Sequence, residues 1–156
     1  MVLTRHWKYK FAFILIAVAA HPLCSQAQNN TYKPTCTSAT SLTQQQAYGD
    51  WRVTWQDGGA TEAVHFGLNP EFPDSLSGEV KRGSTRLQLA GDLEDGQLNL
   101  EESPDGKAIS ATWVGAVVAG SCGKAIEGVW TRDESVVTKD AGAGVRKFVL
   151  RRVAGW

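Results

Sequence analysis

With 156 residues the chain has room for one domain and not two. Its 16 basic and 16 acidic residues cancel. The first 27 residues carry three basic side chains (Arg5, Lys8, Lys10) and no acidic one, so without them the balance is 13 basic against 16 acidic, net −3. That sign argues against nucleic acid as a partner.

Those first residues read as a leader. The basic start is followed by an apolar run of ten, Phe11 to Ala20, too short to span a bilayer as a stable helix. Ser25-Gln26-Ala27 then places small residues at the two positions a signal peptidase reads. Residues 1–27 are therefore expected to be a secretory signal peptide cleaved after Ala27, and the protein to be exported, periplasmic or secreted. Lipid anchoring at Cys24 is disfavoured, because Leu23 stands where a small residue is needed. No later stretch is long and apolar enough to cross a membrane as a helix. Two cysteines follow the leader, Cys36 and Cys122, and an even pair in an exported chain predicts one disulfide.

Residues 28–47 form a polar lead rich in Asn, Thr, Ser and Gln, tied down by Cys36, with a short helical turn expected at Leu42–Ala47. The barrel domain is expected over 48–156. Its first strand, Tyr48–Gln56, sets Gly49, Trp51, Val53 and Trp55 on one face and Asp50, Arg52 and Thr54 on the other, the period-2 alternation of a half-buried strand. Asp57-Gly58 turns the chain. The second strand, Thr61–Leu68, turns Val64, Phe66 and Leu68 inward, and Asn69-Pro70 and Pro73-Asp74 make the next loop. The third, Ser75–Arg82, and the fourth, Thr85–Leu93, flank Gly83-Ser84 and turn Leu76, Gly78, Val80 and Leu87, Leu89, Gly91, Leu93 inward.

After the Asp95-Gly96 turn the fifth strand, Gln97–Glu102, turns Leu98 and Leu100 inward, and Asp105-Gly106 turns the chain again. The sixth, Lys107 to about Val118, offers Ile109, Ala111, Trp113 and Gly115. The seventh, Lys124–Arg132, offers Ile126, Gly128 and Trp130. A polar loop over Ser135–Gly144 leads to the eighth, Val145–Val153, with Phe148, Leu150 and Arg152 on one face.

Eight strands joined by short sequential connections favour antiparallel neighbours. They predict an all-β protein, an eight-stranded antiparallel up-and-down β-barrel, with a two-sheet β-sandwich as the alternative. Large inward residues (Trp51, Trp55, Trp113, Trp130) set against small ones (Gly78, Gly91, Gly115, Gly128) suit the tapering interior of a closed barrel.

Gly49-Asp50-Trp51 on the first strand, with Arg152 late on the last, resembles the calycin barrels: lipocalins, fatty-acid-binding proteins and avidins. The resemblance implies that Trp51 plugs one end and that Arg152 lies across its indole. In length and meander the chain is more similar to the avidins, as are Leu76-Ser77-Gly78-Glu79-Val80 and the later pair Trp113-Val114-Gly115 and Trp130. Biotin binding is not carried over, because Val80 stands where the inward Tyr of that pocket would be and no inward Asn or Ser lies on the first or third strand. The Gly-x-Trp start with one disulfide also resembles the small secreted barrel inhibitors of bacterial proteases and lysozymes, although their inhibitory stretch has no residue-by-residue match here.

Catalytic chemistry finds little footing. His65 is the only histidine after the leader and has no nucleophile elbow near it in sequence. Glu101 and Glu102 are strand neighbours, so they point to opposite faces and form no dyad. Asp92, Glu94 and Asp95 crowd one hairpin without the spacing of a calcium loop. No catalytic residue, metal site or cofactor is expected. The exterior set Arg52, Glu79, Lys81, Arg86, Gln88, Asn99 and Glu101 reads as a mixed-charge face, a partner surface only if something further marks it. The expectation is an exported, non-enzymatic binding protein. Trp55, Phe66, Trp113 and Trp130 are expected to line a cup for a small apolar or aromatic ligand, a reading that the inward glycines favour; the alternative is a filled barrel that serves a protein partner, as in a secreted or periplasmic enzyme inhibitor or immunity-type protein. An empty interior would favour the first and a filled one the second.

Overall fold

The computed structural model describes residues 36–133 and 144–154. The expected signal peptide, the first residues of the lead, all but the last residue of the Ser135–Gly144 loop and Gly155-Trp156 lie outside that range. The strands are β1 (Gly49–Trp55), β2 (Glu62–Leu68), β3 (Leu76–Arg82), β4 (Thr85–Glu94), β5 (Gln97–Ser103), β6 (Ala111–Val117), β7 (Ala125–Arg132) and β8 (Val145–Arg152). Each pairs antiparallel with the next, and β8 closes on β1, giving an up-and-down barrel in sequence order. Closure rules out the sandwich. Among the described residues no helix is long and apolar enough to cross a membrane.

The alternation seen in sequence becomes the inside of the barrel. Trp51, Val53 and Trp55 are buried while Arg52 and Thr54 are exposed, and the same pattern runs through β4 and β5. The interior is filled by rings. Trp113 lies 4.9 Å from Phe148 and 5.3 Å from Trp55, centroid to centroid, and Trp51 lies 6.1 Å from Phe66. The glycines make room for them. Gly115 and Gly128 are direct partners across β6 and β7. A Cβ on Gly128 would stand 2.9 Å from Phe148 Cζ and 2.2 Å from the Val114 carbonyl, so a larger residue there would expel the ring.

The turns follow their sequence signals. Asp95 and Gly96 both take positive φ, as a two-residue hairpin turn requires. The Asp105-Gly106 connection is longer than expected. The Asp105 side chain accepts hydrogen bonds from the backbone N–H of Lys107 and Ala108, each at 2.9 Å, and holds the chain in a loop until Ala111. Ile109, expected inside, is therefore 37% exposed. Leu68, also expected inside, lies at the last position of β2 and is exposed.

The lead closes one end. Cys36 is bonded to Cys122 in the β6–β7 loop, 86 residues away. A short 3₁₀ turn, Ala39–Ser41, precedes α1, Gln44–Ala47. Thr43 caps α1 reciprocally: Gln46 N–H donates to Thr43 Oγ1 and Thr43 N–H donates to Gln46 Oε1. Leu42 and Ala47 are buried against the barrel, and Trp51 donates its indole N–H to the Ala47 carbonyl at 2.8 Å.

Candidate functional site

The two ends of the barrel are built from opposite chemistry. At the lead end, the inward residues are Leu42, Ala47, Trp51, Leu76, Leu98 and Ile126, all buried. Arg152 pairs with Trp51 in register, and its guanidinium carbon lies 5.8 Å from the Trp51 ring. It donates to the Gln46 and Tyr48 carbonyls, stitching lead to barrel. Alternation placed Arg152 with Phe148 and Leu150; those two are buried, while Arg152, at the rim, is exposed and folds back over the indole.

At the far end, the alternation of β2, β3 and β5 continues past the last apolar residue and turns three charges inward. Glu62 begins β2, Arg82 ends β3 two residues after buried Val80, and Glu102 follows buried Leu98 and Leu100 on β5. The Glu102 side chain is 2% exposed, Glu62 9% and Arg82 31%. Arg82 spans both carboxylates. Its Nε donates to Glu62 at 3.2 and 3.3 Å, and its Nη1 and Nη2 donate to Glu102 at 3.0 and 3.1 Å. Three indoles complete the lattice. Trp55 donates to Glu62 at 3.1 Å, while Trp113 and Trp130 donate to Glu102 at 3.1 and 3.2 Å.

Aromatic faces and cations alternate across this mouth. Arg82 lies 5.7 Å from the Trp55 ring and 5.5 Å from Trp130. Arg146 covers Trp55 at 4.1 Å, and Arg132 covers Trp130 at 5.6 Å. The sequence of groups is Arg146, Trp55, Arg82, Trp130, Arg132. Arg146 is fixed from outside by Asp57, at 2.8 and 2.9 Å, and by the Gly58 carbonyl at 3.0 Å. That hydrogen-bonded pair holds the Asp57 carboxyl below its usual range and raises the guanidinium of Arg146.

Such a network is costly to bury and strongly held once made. Desolvating charges offsets their attraction unless every donor and acceptor is satisfied. Here each Glu102 oxygen receives an Arg82 N–H, and Oε2 receives two indole N–H groups besides. A carboxylate so occupied is a good anchor for the side chains around it. The lattice fixes side chains; it leaves Arg82 the one member with appreciable solvent contact.

All four residues expected to line a cup lie in the buried core: Phe66 and Trp113 at 1% exposure, Trp130 at 4%, Trp55 at 7%. The structure brings Trp55, Trp113 and Trp130 together at the mouth; Phe66 packs toward Trp51 instead. Glu62, Arg82, Glu102 and Arg146 were not anticipated. Extending the inward count by two residues beyond Val64 (backwards), Val80 and Leu100 would have found the first three. No family model matches the chain and no curated protein matches it.

Proposed function

We propose that this chain is an exported, non-enzymatic binding protein that serves a protein partner, in the manner of a secreted or periplasmic enzyme inhibitor or immunity-type protein. The observation that carries the reading is the filled interior. Rings pack the interior, the lead plugs one end, and the Glu62–Arg82–Glu102 lattice with its three indoles closes the other. A scaffold of this kind offers its partner a rigid exterior and the loops at its ends. The disulfide suits an oxidising compartment and so supports export. The Trp51–Arg152 contact supports the calycin resemblance at the plugged end.

A small aromatic ligand is the second reading. What favours it is the partial exposure of Arg82 over Trp55 and Trp130, which would let a planar molecule settle on the mouth rather than inside the barrel.

The test is inhibition. The mature protein, residues 28–156, is titrated against a panel of extracytoplasmic proteases and cell-wall hydrolases. The proposal expects one enzyme class to lose activity at one-to-one stoichiometry. No inhibition across the panel, together with stoichiometric binding of a small aromatic compound, would reverse the order of the two readings.

A further inference from the structure

The mixed-charge face read from sequence is sorted by the strand register. Arg151 on β8 is the direct partner of Arg52 on β1, Arg52 of Ala63 on β2, Ala63 of Lys81 on β3, and Lys81 of Arg86 on β4. These five residues form one cross-strand row, all exposed, four of them basic. At the usual strand spacing the row runs about 19 Å across the outer wall. Arg86 is paired with Glu79. Among the described residues no ion pair is recorded for Arg151, Arg52 or Lys81.

Like charges directly opposite one another on paired strands are destabilising. This wall carries two such pairs, Arg52 with Arg151 and Lys81 with Arg86. The chain has no excess of base to explain them, since its net charge is zero. Exposed acidic side chains away from the row include Asp92 and Glu94 at the other end of β4, Glu101 on β5 and Glu127 on β7. Ala63, the small residue at the centre, leaves a dip between the flanking cations, a groove of about 480 Å³ lined by Arg52, Lys81 and Arg86 from this row and by Asp50, His65 and Glu79 from the next.

We infer that this row is the docking strip for an acidic, extended segment of the protein partner. The inference rests on the protein-partner reading above and adds the face and the partner's chemistry. Width argues for a segment rather than a broad anionic surface. The neighbouring row on the same wall is Asp50, His65, Glu79 and Gln88, and its two carboxylates would repel a membrane plane or a wide polyanion. A narrow acidic strand can follow Arg151, Arg52 and Lys81, leaving Arg86 to Glu79.

A fluorescein-labelled octaglutamate peptide serves as the probe, with anisotropy read at low and physiological salt. The expected result is one-to-one binding that weakens with salt and falls about tenfold or more in the double variant Arg52→Glu, Lys81→Glu. The control Lys107→Glu, Lys124→Glu makes the same change in net charge off the row and should bind as the parent does. Unfolding midpoints verify that each variant folds, and Arg52→Gln with Lys81→Gln gives a milder pair if the reversal does not fold. Equal losses in the two double variants would overturn the strip, as would no binding by the parent. Tighter, row-dependent binding to phosphatidylglycerol vesicles than to the peptide would overturn the partner class. If the row variant still inhibits an enzyme that the parent inhibits, the strip is wrong and the partner reading survives. Loss of peptide binding with no enzyme inhibited by any form would keep the strip and remove the inhibitor reading.

Discussion

The two ends of this barrel are closed by different physics. At the lead end, Leu42, Ala47 and Trp51 exclude water, and the cost of ordering the lead is limited by the disulfide at Cys36. At the mouth, Glu62, Arg82 and Glu102 close the barrel with charge. An apolar plug adds stability in proportion to the area it buries and tolerates similar shapes. An ionic lattice adds little net stability over a well-packed apolar alternative, but breaking it leaves an unpaired charge. The mouth is therefore the brittle end and the plug the adaptable one.

That contrast predicts a ranking. The largest loss belongs to Glu102→Ala, which strands Arg82 on one side and two indole N–H groups at once. It should lower stability by about 3–5 kcal/mol in chemical denaturation. A loss below about 1 kcal/mol would mean that water replaces the carboxylate freely and that the mouth is not closed.

Next comes the plug's covalent tie. Replacing Cys36 and Cys122 by Ser should cost about 2–4 kcal/mol, the range for a disulfide closing a long loop. The lead should then protect its backbone amides less from hydrogen exchange, while the mouth stays protected. Arg152→Ala, which removes the contact with Trp51 and two hydrogen bonds to the lead, should cost about 1–3 kcal/mol. Its strand neighbour Arg151→Ala, on the outer wall, should stay within about 0.5 kcal/mol. Equal shifts in the two unfolding midpoints would remove Arg152 from the plug.

The smallest effect is titration. Asp57 is held below its usual range by Arg146, and Asp105 by the N–H groups of Ala108 and Lys107. A carboxyl with a lowered folded-state value stabilises the protein above its unfolded value, about 3.9, and that contribution fades as pH falls through the lower folded value. Thermal midpoints should be flat through mild acid and fall below about pH 4. Asp57→Asn should make the fall shallower.

Much of the fold was legible because burial and exposure alternate along most strands. Trp51 to Trp55 on β1 and Leu87 to Leu93 on β4 needed no tertiary information. Ile109 was misplaced because the Asp105 side chain competes with strand pairing, a choice made by local hydrogen bonds that alternation cannot register. The mouth was hidden for a different reason. Inward charges at strand ends look like solvated ends until partners from three other strands arrive. Glu102 meets Arg82, Trp113 and Trp130 only when the barrel closes. The basic row was invisible on the same ground, since register between β8 and β1 is a property of closure.

A barrel that is full and closed at both ends leaves only its exterior for the proposed partner. Titration with the apolar fluorophore N-phenyl-1-naphthylamine, read through tryptophan emission, tests that closure directly. The parent protein should show no saturable transfer from the buried indoles at one-to-one stoichiometry, and Glu102→Ala, where the mouth is broken, should show it. Saturable one-to-one binding by the parent, abolished by filling the core with Gly115→Ala, would contradict the closure.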